Sequence, residues 1–171
     1  MTTTSASYDR SSTTRFPAAV DSALRTAGWE PGRWDAKQAE YWADALRDHT
    51  TPAGHRHTVF PAAVEAWAEF GGLTVTAAGP GRQIAPTPIR IDPLTGLHLA
   101  RTFADLGRAL STQLCPLGVE ADGGSHLALD REGRVYGIDH TGDWYLGSTV
   151  DEALTLLLTG LQPTRLALPQ E

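Results

Sequence analysis

Between residues 16 and 70, apolar residues recur every three or four residues, the spacing of one face of an α-helix. Val20, Leu24 and Ala27 follow this spacing until Gly28, a residue type that commonly ends helices. Pro17 precedes them and suits the first turn of a helix, where a missing N–H is tolerated. The pattern therefore predicts a helix between residues 17 and 27.

Two more helices are predicted before residue 73. Asp35 opens the first, with Gln38 three residues later as the partner of a capping box. Pro61 opens the second, which is short and amphipathic and ends at the glycine pair 71–72. Four tryptophans lie on or beside these helices at the spacing of core positions, and we expect them to be packed: Trp29, Trp34, Trp42 and Trp67.

From residue 73 the period of the apolar residues changes to two, which is typical of half-buried strands. A first strand is predicted at 73–77 and a second around Ile89 and Ile91. Three short strands connected by tight turns are predicted at 125–130, 134–139 and 143–146. Such a run of strands and turns indicates an antiparallel meander.

Two helices are predicted within and after these strands. Thr102, with Asp105 three residues later, is expected to cap the first of them. Thr149, with Glu152 as its capping partner, is expected to open the last helix, which Gly160 ends.

This order of elements predicts an α+β fold. We expect an antiparallel β-sheet of about five to six strands, with N-terminal helices, one inserted helix and a C-terminal helix packed on one of its faces. Residues 1–14, rich in serine and threonine, are predicted to form a disordered tail. Residues 15–162 are expected to form a single domain, and residues 163–171 a C-terminal tail.

The composition limits the class of protein. The 171 residues contain one cysteine, Cys115, so no internal disulfide can form, and we expect this side chain to be buried as a small apolar group. Residues 1–14 lack the apolar core of a signal peptide. The longest apolar run of a predicted helix, at 154–158, is far shorter than the roughly 20 residues that cross a membrane. We expect a cytoplasmic protein without membrane contact.

The net charge of −6 comes from one stretch, residues 120–152. Residues 1–119 carry eleven acidic and eleven basic side chains, whereas this stretch has eight acidic residues against Arg131 and Arg134. A one-sided negative field repels nucleic acid and attracts a cationic partner. The pattern indicates a binding protein that does not contact nucleic acid directly. The eight acidic residues are Glu120, Asp122, Asp130, Glu132, Asp139, Asp143, Asp151 and Glu152.

The histidines leave open a metal site. His49, His55 and His57 are the clustered potential ligands, and Asp48 could complete a set of four. However, threonine, proline and glycine separate the histidines, which is the composition of an exposed loop. We therefore predict no metal and no cofactor.

A Ser–His–Asp hydrolase is a second alternative, assembled from Ser125, His126 or His140, and Asp139. No Gly-x-Ser-x-Gly turn accompanies these residues. Ser125 and His126 are also neighbours on a predicted strand, where successive side chains face opposite ways. We therefore predict no catalytic residues.

Trp144 and Tyr145 are adjacent on the last predicted strand, so they face opposite sides of the sheet. One of them must point outward or lie beneath the last helix. An outward aromatic side chain within an acidic region could anchor a protein interface.

Short motifs along most of the chain resemble those of the SUKH superfamily of bacterial immunity proteins, and specifically the SUKH-3 branch. Where this branch favours an acidic residue directly after Pro-Leu-Gly, this chain has Val119 before Glu120. The motifs are AGWEPGR at 27–33, FPAA at 60–63, EFGGL at 69–73, GPG at 79–81, IDP at 91–93, CPLG at 115–118, GRVY at 133–136, and EAL at 152–154 with Gly160.

The resemblance implies a non-enzymatic protein that binds and neutralises a cognate toxin, commonly a nuclease or a nucleic-acid deaminase. It implies no contact residues, so these are predicted from charge and aromatic position. We expect partner binding by Asp130, Glu132, Asp139 and Asp143, with Trp144 or Tyr145 as the anchor, and a protein that is a monomer or weak dimer. A general interaction module and a histidine-dependent hydrolase remain as alternatives.

Overall fold

A computed structural model describes residues 15–77 and 79–167. The predicted tail at residues 1–14 lies outside the described residues, as does the end of the predicted C-terminal tail. Within the described part a 3-10 helix, Pro93–Leu99, leads directly into the fourth α-helix. The α-helices are Ala18–Thr26 (α1), Ala36–Asp48 (α2), Pro61–Phe70 (α3), Ala100–Ala109 (α4) and Val150–Thr159 (α5).

The strands form a single antiparallel sheet in which the order of the strands follows their order in the chain. The predicted α+β fold is confirmed, with seven strands among the described residues instead of the expected five to six. The strands are Thr74–Val75 (β1), Ile89–Arg90 (β2), Leu114–Glu120 (β3), Ser125–Asp130 (β4), Val135–Asp139 (β5), Gly142–Gly147 (β6) and Thr164–Arg165 (β7).

Helices cover both faces of the sheet, whereas we expected them on one. Leu127 and Leu129 of β4 lie in the larger core, which also holds buried residues of α1, α2, α3 and α5. Ala128, between them in the chain, lies in a second cluster with Phe103 of α4. Because successive strand residues face opposite sides of a sheet, α4 packs on the face opposite to the other four helices.

The tryptophans differ in their burial. Trp67 is fully buried, and its indole N–H donates to the carbonyl of Pro116 at 2.9 Å, which joins α3 to β3. Trp29 and Trp42 are buried as predicted. The prediction of a packed Trp34 was wrong, since this side chain is 59% exposed. It precedes the first turn of α2, so it is not part of the apolar face of that helix.

Strand β3 was missed by the sequence pattern because a proline and a glycine interrupt it. The pairing register shifts between Pro116 and Gly118, so the residue without an N–H falls at a bulge. At Gly118 a Cβ atom would lie 2.0 Å from the carbonyl oxygen of Arg90, so the approach of β2 requires glycine here. Cys115, which lies in this strand, is fully buried as predicted.

Three predicted helix ends are confirmed. The Asp35 side chain accepts the N–H of Gln38 at 3.0 Å and caps α2. The Thr149 hydroxyl accepts the N–H of Glu152 at 3.1 Å and caps α5. Gly160 ends α5 with a φ of 70°, a left-handed conformation that glycine adopts without a steric penalty.

Two predicted boundaries were wrong. Helix α4 begins at Ala100, not after Thr102, because the 3-10 helix continues into it without a side-chain cap. The predicted tail from residue 163 contains β7, which pairs with Trp144 and Tyr145 of β6. This pairing joins residues distant in the chain, so the local pattern did not reveal it.

His57 joins the segment before α3 to the 3-10 helix. The residue is 8% exposed, and its Nε2–H donates to the carbonyl of Leu97 at 2.7 Å. Its Nδ1 is buried and has no hydrogen-bond partner among the described residues. Burial lowers the pKa of His57, the bond to Leu97 opposes this effect, and the charges of His49 and His98 lower the pKa further.

We predict that the free energy of unfolding decreases as the pH falls from about 7 to about 5. The unfolded chain protonates His57 near its ordinary pKa of 6.5, whereas the folded chain keeps it neutral to a lower pH. The contribution of His57 to the free energy of unfolding is therefore fully present above the ordinary pKa and is lost as the pH falls below it. Thermal melts across this range measure the effect.

A His57→Gln variant should flatten the pH dependence, because a glutamine amide can still donate to Leu97 and does not titrate. His126, whose pKa burial also lowers, contributes a slope of the same sign, whereas Glu120, whose pKa burial raises, contributes a slope of the opposite sign. If the variant kept the full pH dependence of the wild type, the assignment of this dependence to His57 would be wrong.

Candidate partner-binding site

The four predicted acidic contacts lie at two opposite ends of the sheet. Asp130 and Glu132 belong to the β4–β5 turn, whereas Asp139 and Asp143 flank the β5–β6 turn. The five residues of β5 separate the two turns by about 17 Å, at roughly 3.4 Å per residue. This distance exceeds the Debye length of about 8 Å at physiological ionic strength. The negative field expected on one side of the molecule is therefore divided between two ends of the sheet.

Asp130 is fully buried, so its carboxylate is not offered to a partner in this structure. Its Oδ1 accepts the backbone N–H groups of Glu132 and Arg134 at 2.9 and 3.0 Å. Its Oδ2 accepts from the guanidinium of Arg134 at 2.7 Å and from the hydroxyl of Tyr136 at 3.2 Å. Burial, and then the charge of Asp130, raises the pKa of Tyr136 to about 12. The prediction of Asp130 as a partner-binding residue is therefore corrected, since its carboxylate stabilises the β4–β5 turn.

Glu132, in the same turn, is open to solvent. Its side chain is 72% exposed and lies 3.3 Å from the guanidinium of Arg134. An ion pair of two exposed side chains contributes little to stability. Glu132 therefore remains available for a partner, at the end of the sheet away from Asp139.

Asp139 forms the β5–β6 turn. Its Oδ1 accepts from the backbone N–H and the hydroxyl of Thr141 at 2.8 and 2.5 Å, and from the N–H of Gly142 at 3.2 Å. Burial alone would raise the pKa of Asp139, but these bonds and one from the indole of Trp144 outweigh it, and the pKa is lowered. Among residues 15–77 and 79–167 no group forms a hydrogen bond to Oδ2, so one oxygen of the Asp139 carboxylate remains open to a partner.

Two further carboxylates gather around Asp139. Burial, and then the charge of Asp139, raises the pKa of Asp143. Burial also raises the pKa of Glu120, with a further increase from Asp139 and an opposing hydrogen bond from the hydroxyl of Thr87. The pairing of Glu120 with Ser125, and of Ser125 with Asp139, places these strand ends together. We call Glu120, Asp139 and Asp143 the acidic end of the sheet.

Glu120 was counted in the acidic stretch but was not chosen as a contact. The signal that places it beside Asp139 is the register of β3 on β4, and β3 had not been predicted. No arginine, lysine or histidine forms an ion pair with a residue of the acidic end among residues 15–77 and 79–167.

Arg165 of β7 is the cation that approaches this surface. Its guanidinium donates to the carbonyl of Thr141 at 2.8 Å and lies 5.8 Å from the centre of the Trp144 ring. Its charge opposes the rise in the pKa of Asp143. Arg165 therefore reduces the negative potential of the acidic end without pairing directly with a carboxylate.

Trp144 and Tyr145 face opposite sides of the sheet, as predicted, and both are half-buried. Trp144 packs against the larger core. Tyr145 packs against the smaller cluster, with its ring 5.9 Å from that of Tyr136, and its hydroxyl bonds to Ser148 at 2.6 Å. Neither ring projects freely into solvent, and both side chains keep partial exposure.

The remaining acidic residues that the structure describes in this stretch serve the fold. Asp151 and Glu69 both bind the guanidinium of Arg15, at 2.5 and 2.6 Å, which connects α5 to α3. The hydrogen bonds to these two carboxylates raise the pKa of Arg15, and the bond to Asp151 has the larger effect. Glu152 accepts the N–H of Ser148 at 2.8 Å beside the cap of α5. Arg15, from the N-terminal half of the chain, thus neutralises part of the negative charge of residues 120–152.

The histidines form no metal site among the described residues, where no group of three or more potential ligands could hold an ion. Ser125 pairs with Asp139 in the sheet, whereas His126 pairs with Ile138, so the serine and the histidine face opposite sides. In the described part of the chain no helix is long and apolar enough to cross a membrane.

An antiparallel sheet with helices on both faces does not by itself define a class of protein, so the class is assigned by sequence comparison. The profile of the SUKH-3 immunity protein family matches residues 16–160. This span includes every helix and all strands except β7. The chain belongs to the SUKH-3 immunity protein family. Searches of curated proteins and of solved structures found no match.

We predict that Asp130→Asn lowers the free energy of unfolding by about 1–3 kcal/mol, because an amide cannot accept all four bonds that the buried carboxylate accepts. The matched variant Glu132→Gln, two residues away and exposed, should change it by less than about 0.5 kcal/mol. Denaturant titration of both variants measures the difference. Equal stability of the two variants would contradict a structural role for Asp130.

Proposed function

We propose that this protein binds and neutralises a cognate toxin that acts on nucleic acid, such as a nuclease or a nucleic-acid deaminase. The acidic end of the sheet covers the basic surface with which the toxin holds its substrate. The observation that carries this proposal is the gathering of Glu120, Asp139 and Asp143 in a member of an immunity family.

The chemistry of the partner follows from this charge. A protein that binds nucleic acid holds phosphates with lysine and arginine side chains. Carboxylates at strand ends can take the place of those phosphates. Charge of this kind mainly increases the encounter rate and selects the partner, whereas a partly buried aromatic group supplies more of the affinity. We propose Asp139 and Asp143 as charged contacts, with Trp144 or Tyr145 as the anchor.

The proposed role is stoichiometric and involves no catalytic step. The immunity protein would meet its toxin inside the cell that makes both proteins. A general interaction module of the same superfamily is the alternative, and the absence of a toxin gene beside the gene for this protein would favour it.

We predict that Asp139→Asn with Asp143→Asn slows association with the toxin encoded by the neighbouring gene by about three- to tenfold at low salt. Asparagine at 139 keeps the acceptor of the turn and removes the charge. The wild-type rate should fall steeply as salt is added, and the double variant should show a shallower dependence. Stopped-flow mixing measures both rates.

Arg165→Gln provides a control of opposite sign, because removing this cation strengthens the negative potential of the acidic end. It should accelerate association at low salt, by about two- to threefold. If neither variant changed the association rate or its salt dependence, the acidic end of the sheet would not be the surface that contacts the toxin. If the wild-type protein did not associate with the toxin at any salt concentration, the proposed function would be wrong.

A further inference from the structure

Trp34 presents an exposed aromatic ring beside a groove, a combination that the acidic end of the sheet does not explain. Large exposed apolar side chains among the described residues are Trp34, Tyr41 and Ile84, at 59%, 63% and 43%. Isolated cases of this kind are ordinary on protein surfaces. Trp34 differs from Tyr41 because it lines a groove of about 540 Å³ between α3, the β4–β5 turn and the start of α5.

The backbone around Trp34 is held firmly although its ring is exposed. The guanidinium of Arg33 donates to the carbonyls of Glu69 and Gly71 at 2.6 and 2.9 Å. The backbone N–H of Asp35 donates to the carbonyl of Ala68 at 2.9 Å. Both neighbours of Trp34 are therefore bonded to the end of α3. Because the backbone on both sides of Trp34 is held in this way, it loses little further freedom when a partner binds.

The charge of the groove selects a cationic occupant. Acidic side chains outnumber basic ones in its lining by four to two. Arg15 is bonded to Glu69 and Asp151. This pairing leaves two carboxylates open to a ligand: Glu65, which is exposed, and Glu132, which is 72% exposed and forms only a surface ion pair with Arg134.

The second cation of the groove is also held in place. Arg131 donates to the side-chain carbonyl of Gln113 at 2.5 Å, and its guanidinium lies 5.2 Å from the centre of the Phe60 ring. These contacts draw it toward β3 and the start of α3, so it does not pair with Glu65 or Glu132 among the described residues.

We propose that this groove, the Trp34 groove, binds an arginine side chain on the surface of the toxin, with the guanidinium against the Trp34 ring and its N–H groups directed to Glu65 and Glu132. A tryptophan face is the strongest aromatic partner of a cation. A planar guanidinium also matches carboxylates better than an ammonium group does. Tryptophan and arginine are enriched among the residues that dominate interface energies.

This inference rests on the proposed function for the identity of the partner, but it names a second contact surface. The groove adjoins the β4–β5 turn, at the end of the sheet opposite to Asp139 and Asp143. The two surfaces can therefore be tested separately by substitution.

The first test titrates acetyl-tetra-arginine amide into the full chain and follows the indole N–H signal of Trp34 by NMR, with the signal assigned by its loss in Trp34→Phe. We expect a saturable shift and binding about threefold weaker or more in Glu65→Gln with Glu132→Gln. Tyr41→Ala, which removes an exposed aromatic outside the groove, and Asp139→Asn with Asp143→Asn should leave the shift unchanged. Acetyl-tetra-lysine amide should bind more weakly.

The second test measures dissociation of the toxin complex. Trp34→Ala should increase the dissociation rate about tenfold, and Tyr41→Ala should leave it unchanged. Thermal melts verify that both variants remain folded, as expected for exposed side chains. Unchanged dissociation in Trp34→Ala from a toxin that binds the wild type would overturn the proposal and leave the proposed function intact.

Two other results would also overturn the inference. A Trp34 signal that moves with protein concentration in the absence of peptide would assign the groove to a second copy of this chain. An absent Trp34 shift with tetra-arginine would exclude an arginine ligand. Failure of the wild-type protein to bind any toxin would count against the proposed function alone, because the peptide titration does not depend on it.

Discussion

The register of the antiparallel strands from β3 to β6 is the constraint on which the placement of the carboxylates of the sheet depends. Leu127, Leu129 and Val135 must face the larger core, and a slip of one residue would turn them away from it. Once the register is set, consecutive turns lie at opposite ends of the sheet. Carboxylates that are neighbours in the chain are thereby separated, and those of distant strands, such as Glu120 and Asp139, are brought together.

Burial then decides what each carboxylate does. Asp130 and Asp139 both follow the last apolar residues of a strand and both bond to the turn that comes next. Asp130 is fully buried and has both oxygens occupied, so its charge serves the fold. Asp139 keeps one oxygen free among the described residues, so its charge remains available at the surface. The same residue type in similar turns therefore has different roles.

Local sequence signals predicted the parts of the fold that depend on local physics. The caps at Asp35 and Thr149 and the left-handed Gly160 involve groups within a few residues of each other. Strand β3 was missed because Pro116 and Gly118 interrupt its apolar pattern, and β7 because it pairs with β6 across the intervening helix α5. The burial of Asp130 and the exposure of Trp34 are also tertiary properties. The motifs spread along the chain identified the family, but they did not identify the contact surface.

Hydrogen–deuterium exchange of the protein, alone and with the toxin encoded by the neighbouring gene, tests the central claim most directly. The account predicts slower exchange on binding in the β5–β6 turn and β6, at residues 139–145. It predicts little change in α4, which packs on the face of the sheet that carries Tyr136 and Tyr145 and is not part of the acidic end. Protection confined to α4, or complex formation without protection of the β5–β6 turn, would contradict the claim that the acidic end of the sheet meets the toxin.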